Sequence, residues 1–372
     1  MTWRVPVARP ELGPEETQAV LEVMRSGWIT QGQVVRDFEA DFARFCGARF
    51  AVATNTGTAA LHVALMALGV GPGDEVVTTP LSCIASANPI LFCGARPVFA
   101  DVEPDTFNLD VRDVARRLTA RTRAIVAVHL FGHPVDVDAF RDLAESQGIP
   151  LVEDASQATG AEYRGRRVGA LAAVGTHSLY ANKIVTSAEG GVATTDDEAL
   201  AQRMASMRSF GQAPGEPFVH PLLGGNYKMS NLHAAIGRAQ VAKAEGFLAR
   251  RREHVAELNA RLASLTDVLA ALPSDRAWAR SACFAYWLLF RTAALKARAA
   301  AALHAAGVET RPFFSMINDQ PPYRALGYDA ADTPVAADLF ARGLYVSSSP
   351  ALGKEDRDLI VTTLEALAER RR

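Results

Sequence analysis

The chain has 372 residues, 49% of them hydrophobic, and its 39 basic and 41 acidic side chains give a formal net charge of −2. That length suggests one large domain with a smaller one, and the balanced charge leaves no electrostatic case for nucleic acid or a membrane surface as partner. No run of about 18 apolar residues is present to form a transmembrane helix. The cysteines, Cys46, Cys83, Cys93 and Cys283, show no C-x-x-C spacing and no secretory signal precedes them, so they read as free thiols in a reducing cytoplasm.

The first residues are extended, with Pro6 and Pro10, and a helix is expected over 14–26, where Pro14 suits the first turn. Residues 27–32 form a loop in which Trp28 reads from the residues alone as a half-buried turn residue. A second helix follows over 34–46. Residues 50–54 form a short buried strand, Asn55-Thr56-Gly57 breaks it, and 58–68 reads as a helix apolar at Leu61, Ala64, Leu65 and Leu68. Strand, glycine turn and helix is a geometry that points free backbone N–H groups at an anion. The amides of Gly57, Thr58 and Ala59, with the Thr58 hydroxyl, are candidates for holding a phosphate. An ordinary glycine turn with a threonine cap would use the same residues.

Strands are expected over 75–79, 97–101 and 122–128. The last ends in His129-Leu-Phe-Gly-His133-Pro. Two histidines four apart bind metal when they share a helix face, but Gly132 and Pro134 make a turn here, and structural hydrogen bonding is preferred over zinc. A helix follows over 138–147. The next apolar run ends at Asp154, where open α/β sheets collect ligands. A carboxylate there can keep a pyridinium nitrogen protonated, or it can cap the following segment. A strand over 174–179 leads to Lys183, which sits between small polar residues and the pair Gly190-Gly191 before an apolar run at 191–194. In a cleft, such a lysine has a lowered pKa and can form an imine with a carbonyl. On a loop surface it does nothing of the kind.

Further on, a helix is expected over 196–209, with Arg208 solvated or paired with the helix dipole. A glycine- and proline-rich loop spans 211–225. A long helix, capped by Ser230, runs over 231–265 with a break near Gly246. A strand over 284–291, a helix over 296–306, and helices over 335–342 and 356–370 complete the chain. The basic run at 369–372 reads as a solvated helix end.

The pattern Ser178-x4-Lys183, followed by Thr186-x-x-Glu189-Gly190-Gly191, resembles the cofactor-lysine segment of the DegT/DnrJ/EryC1/StrS family of pyridoxal-phosphate-dependent sugar aminotransferases. The resemblance extends roughly from residue 6 to 367, and it implies that the loop 27–32, with Trp28, lies near the substrate. It implies an α/β, fold-type I transferase with a mixed, mostly parallel sheet between helices. Residues 1–30 would be an N-terminal arm, 31–245 the large cofactor-binding domain and 246–372 a smaller C-terminal α/β domain. It implies pyridoxal 5′-phosphate as cofactor and Lys183 as the catalytic lysine. Gly57, Thr58 and Ala59 would hold the phosphate, Asp154 the ring nitrogen and Gln157 the ring's hydroxyl side, with Ser178 a further cofactor contact. Asn226 and Lys228 would reach a neighbour's phosphate in a homodimer with shared sites.

The implied reaction moves an amino group, with glutamate as donor, onto a keto group of a nucleotide-linked deoxysugar. Alternatives within the family are an aminocyclitol aminotransferase or a sugar dehydratase, though the dehydratases carry histidine at the place of Lys183. A non-catalytic cofactor-binding regulatory protein is the alternative of another class. Two stretches depart from the family pattern. Cys83 stands where an aromatic residue stacks on the ring, and is read as a small buried side chain. Ser315, Met316 and Asn318 stand where a tyrosine-proline pair and a histidine are common, toward the sugar.

Overall fold

The computed structural model describes residues 3–213, 215–216 and 218–369. Helix α1 (Pro14–Ser26) has its proline in the first turn and ends at Gly27, whose φ of 72° favours glycine. Helix α2 (Gln33–Cys46) turns Val35, Phe38, Phe42, Ala43 and Cys46 inward as one apolar stripe. Of the expected basic run at 369–372, residues 370–372 lie outside the described residues.

The main sheet is built from β1 (Phe50–Thr54), β2 (Glu75–Thr78), β3 (Arg96–Phe99), β4 (Thr122–Val128), β5 (Leu151–Asp154), β6 (Val174–Ser178) and β7 (Gly191–Thr195), in the order β1-β7-β6-β5-β4-β2-β3. β6, β5, β4, β2 and β3 run parallel to one another. β7 is antiparallel to both β6 and β1. The sheet is therefore mixed and mostly parallel, as expected. Helices α3 (Gly57–Ala67) and α4 (Val137–Gln147) connect its strands, and α5 (Glu198–Arg208) follows its last strand, β7. Val63, Ala64 and Met204 pack with Val52 and Ala193 on one face, and Phe38 and Phe42 lie in the core of the other. Covering both faces is what lets the parallel strands read as continuous apolar runs.

Helix α6 (Asn231–Leu262) is capped by Ser230, whose side chain accepts from His233 N. It is unbroken through Gly246, which corrects the expected break there. A helical glycine costs only about 1 kcal/mol, and this helix is anchored on both sides of it. Ala244 and Leu248 lie in the core of the main sheet, whereas Val255, Leu258 and Leu262 lie in a second core.

That second core is centred on an antiparallel sheet of β8 (Leu269–Ala271), β9 (Tyr286–Phe290), β10 (Arg311–Pro312) and β11 (Gly343–Val346), ordered β8-β9-β11-β10. Helices α7 (Ala293–Ala305) and α8 (Lys354–Glu369) pack on it through Leu295, Leu303, Ile360 and Leu364. α7 starts earlier than expected because Thr292 caps it, accepting from Leu295 N. Val5 joins the same core and bridges to Val308.

Candidate active site

The carboxyl ends of β5 and β6 and the amino end of α3 meet at one cavity of about 340 Å³. Gly57, Thr58, Asp154, Gln157, Ser178 and Lys183 line it together. Ala59, Asn226 and Lys228 do not.

At the first turn of α3, Thr56 Oγ1 accepts a hydrogen bond of 3.0 Å from Ala59 N. The cap thus takes the Ala59 amide, which corrects its expected place in the anion cradle. The amides of Gly57 and Thr58 have no partner among the described residues. Backbone crowding fixes this corner. A Cβ on Gly57 would stand 2.7 Å from Ser178 Cβ, and one on Gly191 would stand 2.3 Å from Thr56 O. The second glycine of the pair after Lys183 is therefore a packing requirement of the α3 turn.

Lys183 sits on a connection that braces itself. Leu179 N donates to Gly190 O and Ser187 N to Leu179 O, both at 2.9 Å. Thr186 Oγ1 donates to Leu179 O at 3.1 Å. Ile184 and Val185 are buried beside it and hold the turn inward. Lys183 Nζ lies 4.7 Å over the Phe284 ring and has no hydrogen-bond or ion-pair partner among the described residues. Burial pulls its amine below the usual lysine range, with Cys83 and Asp154 opposing the shift.

Asp154 is buried. Its Oδ2 accepts from Ser86 Oγ at 2.7 Å and its Oδ1 from Ser156 N at 3.1 Å. Gln157 Oε1 accepts from Phe131 N at 2.9 Å, which leaves its Nε2 for the cavity. Ser86, Tyr180, Asn182, Glu189 and Phe314 also line the cavity. The sequence reading missed them. Phe314 arrives from beyond β10 at a φ of 52°, a strained conformation that no local pattern announces. Ser86 follows Ser82 by four residues, a spacing that could have drawn notice.

Several other residues stand differently from expectation. Cys83 is exposed on the cavity wall, not buried, because the short strand Leu81–Ser82 ends just before it. Arg208 ends α5, as its basic charge suits, but it is not solvated. It is buried, bonded to Glu39 and to Ala53 O, because the end of α5 runs into the sheet beside β1. Trp28 is exposed, and its Nε1 donates to Gln31 O at 3.1 Å. Asn318 is buried and donates to Asp329 O and Thr333 Oγ1 at 2.9 and 3.0 Å. His129 Nε2 lies 3.1 Å from Glu153 Oε1 and its Nδ1 accepts from Val135 N, while His133 Nδ1 bonds Pro134 O. Both histidines thus serve as hydrogen-bonding struts. Asn226 is exposed and Lys228 Nζ lies 4.7 Å over the Phe210 ring. Among the described residues there is no cluster of three or more potential metal ligands, and no helix is long and apolar enough to cross a membrane.

Comparison with known proteins agrees with this geometry. The model of the DegT/DnrJ/EryC1/StrS aminotransferase family matches residues 10–365. GDP-perosamine synthase of Caulobacter vibrioides is 38% identical over 365 residues, covering 97% of this chain and 98% of that protein. Among solved structures, the aminotransferase TlmJ from Streptoalloteichus hindustanus superimposes with a TM-score of 0.93 at 32% identity, covering 99% of each chain. DesV of S. venezuelae, solved in complex with a ketimine intermediate, gives a TM-score of 0.90 at 32% identity, over 96% of this chain and 95% of that one.

Proposed function

Since the chain belongs to the DegT/DnrJ/EryC1/StrS aminotransferase family, we propose that it uses pyridoxal 5′-phosphate to move an amino group from glutamate onto a keto group of a nucleotide-linked deoxysugar. The observation that carries this reading is the meeting of Lys183, Asp154 and the α3 amino end around one cavity. The cavity suits the cofactor. It offers two amides at a helix start for a phosphate, a buried carboxylate for a ring nitrogen and a lysine amine, the amides and the amine having no partner among the described residues. When bound, the cofactor supplies an electron sink for the carbon that loses its proton.

The chain's own residues do the rest. Gly57 and Thr58 amides, with Ser178 beside them, bind the phosphate. Asp154 keeps the ring nitrogen charged, and Gln157 directs its Nε2 at the ring's hydroxyl side. Lys183, its amine pulled down in pKa by burial, takes and returns a proton at Nζ. Asn226 and Lys228 serve the phosphate of a neighbouring subunit in a homodimer. The name of the Caulobacter relative supports a GDP-linked sugar. Four free cysteines support work in a reducing cytoplasm. The division into arm 1–30, large unit 31–245 and small unit 246–372 belongs to the same reading, supported by the passage of α6 from one core to the other.

Two measurements test it. Borohydride should fix the cofactor to a peptide containing Lys183, and an adduct on any other lysine rejects the assignment. A screen of GDP-, UDP- and dTDP-linked 3-keto and 4-keto sugars with glutamate should yield one aminated sugar and 2-oxoglutarate. Turnover with no sugar, and no spectral response to glutamate, would leave a cofactor binder.

A further inference from the structure

Against Asp154 stand two buried serines, Ser86, which also lines the cavity, and Ser82 beyond it. Ser86 Oγ lies 2.7 Å from Asp154 Oδ2, and Ser82 Oγ lies 3.1 Å from Ser86 Oγ. A carboxylate only accepts, and a hydroxyl has one proton to donate. Ser86 therefore donates to Asp154 and receives from Ser82, which fixes the direction of the chain. The other carboxylate oxygen is tied separately by Ser156 N at 3.1 Å. With each oxygen held by its own donor, the carboxylate cannot turn about its Cβ–Cγ bond without breaking one.

The far end of this chain is also anchored. Leu81–Ser82 pairs antiparallel with Ser315–Met316, Ser82 opposite Ser315. Ile317 N donates to Pro80 O at 2.7 Å. Ser86 is placed by a short turn in which its own N–H donates to Cys83 O at 3.0 Å. The segment that follows β10 thus holds the first serine, and the first serine orients the second.

We propose that Ser82 and Ser86 form a one-way hydroxyl chain that sets the orientation of the Asp154 carboxylate in the cavity, with Ser86 as a positioning residue. The proposal rests on the reading that Asp154 faces the ring nitrogen of the bound cofactor. In that geometry a carboxylate turned even slightly makes a weaker contact with the nitrogen, while the cavity keeps its shape.

The test uses the holoenzyme, with the pH titration of the bound cofactor's visible absorbance and the Kd for pyridoxal phosphate as readouts. Ser86→Ala should raise that Kd about tenfold and displace the titration midpoint by about one pH unit, the equivalent of a tenfold change. Ser86→Thr, which keeps the hydroxyl, should restore both. Ser82→Ala should displace the midpoint in the same direction by less, and it carries the test if Ser86→Ala fails to fold. Asp154→Asn is run beside them. If Asp154→Asn displaces the midpoint and neither serine variant does, the chain has no positioning role. If Asp154→Asn also leaves the midpoint unmoved, the placement of Asp154 at the ring nitrogen is wrong and the proposal falls with it.

Discussion

Gly57 lies so close against Ser178 that an added Cβ would stand 2.7 Å from Ser178 Cβ and 3.0 Å from its Cα. The start of α3 and the end of β6 are thereby locked together, and the Gly57 and Thr58 amides stay beside the serine. Gly57→Ala must push the turn away from the strand. Overpacking of this kind costs about 1–3 kcal/mol, concentrated here at the proposed phosphate cradle. We expect the Kd for pyridoxal phosphate to rise about tenfold, with a smaller change in the stability of the cofactor-free protein. Titration of the bound-cofactor absorbance checks it, and unchanged affinity would remove the turn from the cradle.

Cys83 faces the cavity, whereas the other thiols are held protonated by burial. Cys46 is pushed up to about 12, and Cys283 and Cys93 to about 11. The thiolate is the reactive form. Iodoacetamide near pH 8 should therefore modify Cys83 first, as peptide mass mapping would show. Saturating pyridoxal phosphate should slow that step, since Cys83 shares the cavity wall with Asp154 and Lys183. Fast labelling of Cys83 that ignores the cofactor would place the thiol outside the binding volume.

The main sheet was legible because its strands are short apolar runs with turn residues between them, and because Gly57, Asp154 and Lys183 stand at strand or helix ends. What escaped is what tertiary packing decides. Gly246 looks like a break locally, yet α6 is gripped on both sides of it. Arg208 looks solvated in a helix pattern, yet the carboxylate and carbonyl that receive it come from Glu39 and Ala53, far away in sequence. The Ala59 amide looked free until the Thr56 side chain closed on it. Phe314 and Ser86 reach the cavity through pairings between Leu81–Ser82 and Ser315–Met316, which two-residue strands do not advertise.

Burial pulls the Lys183 amine below its ordinary value of 10.5, and this has a cost in the cofactor-free protein. Below the lowered folded-state value the lysine is charged in both folded and unfolded chains, and the full desolvation penalty applies. As pH rises from that value toward 10.5, the folded lysine is neutral while the unfolded one still binds a proton, and the penalty fades. Lys183→Met should therefore raise the melting temperature of the cofactor-free protein at neutral pH, on the order of 2 °C. The gain should shrink as pH approaches 10.5, and turnover should be lost throughout. Melting curves across pH check this. A gain that stays constant with pH would point to packing, not charge.

Asn226 and Lys228 stand apart from the cavity of their own chain, and their surroundings favour a second subunit. The loop before them leaves Phe218 and Leu223 each 91% exposed, apolar side chains that gain from being covered. Lys228 Nζ rests over Phe210, and Asn226 is exposed at the end of the same loop. A phosphate dianion needs cationic or amide partners, and a two-fold dimer would deliver these two donors reciprocally. Complementation separates this from a site built within one subunit. Lys183→Ala and a double Asn226→Ala, Lys228→Ala variant are each first shown to be nearly inactive, then unfolded and refolded together. If sites are shared, each mixed dimer contains one site with both defects and one with none. Random mixing makes about half the dimers mixed, so roughly a quarter of wild-type activity per site should return. If each subunit builds its own site, every site keeps a defect and the mixture stays as inactive as its parts.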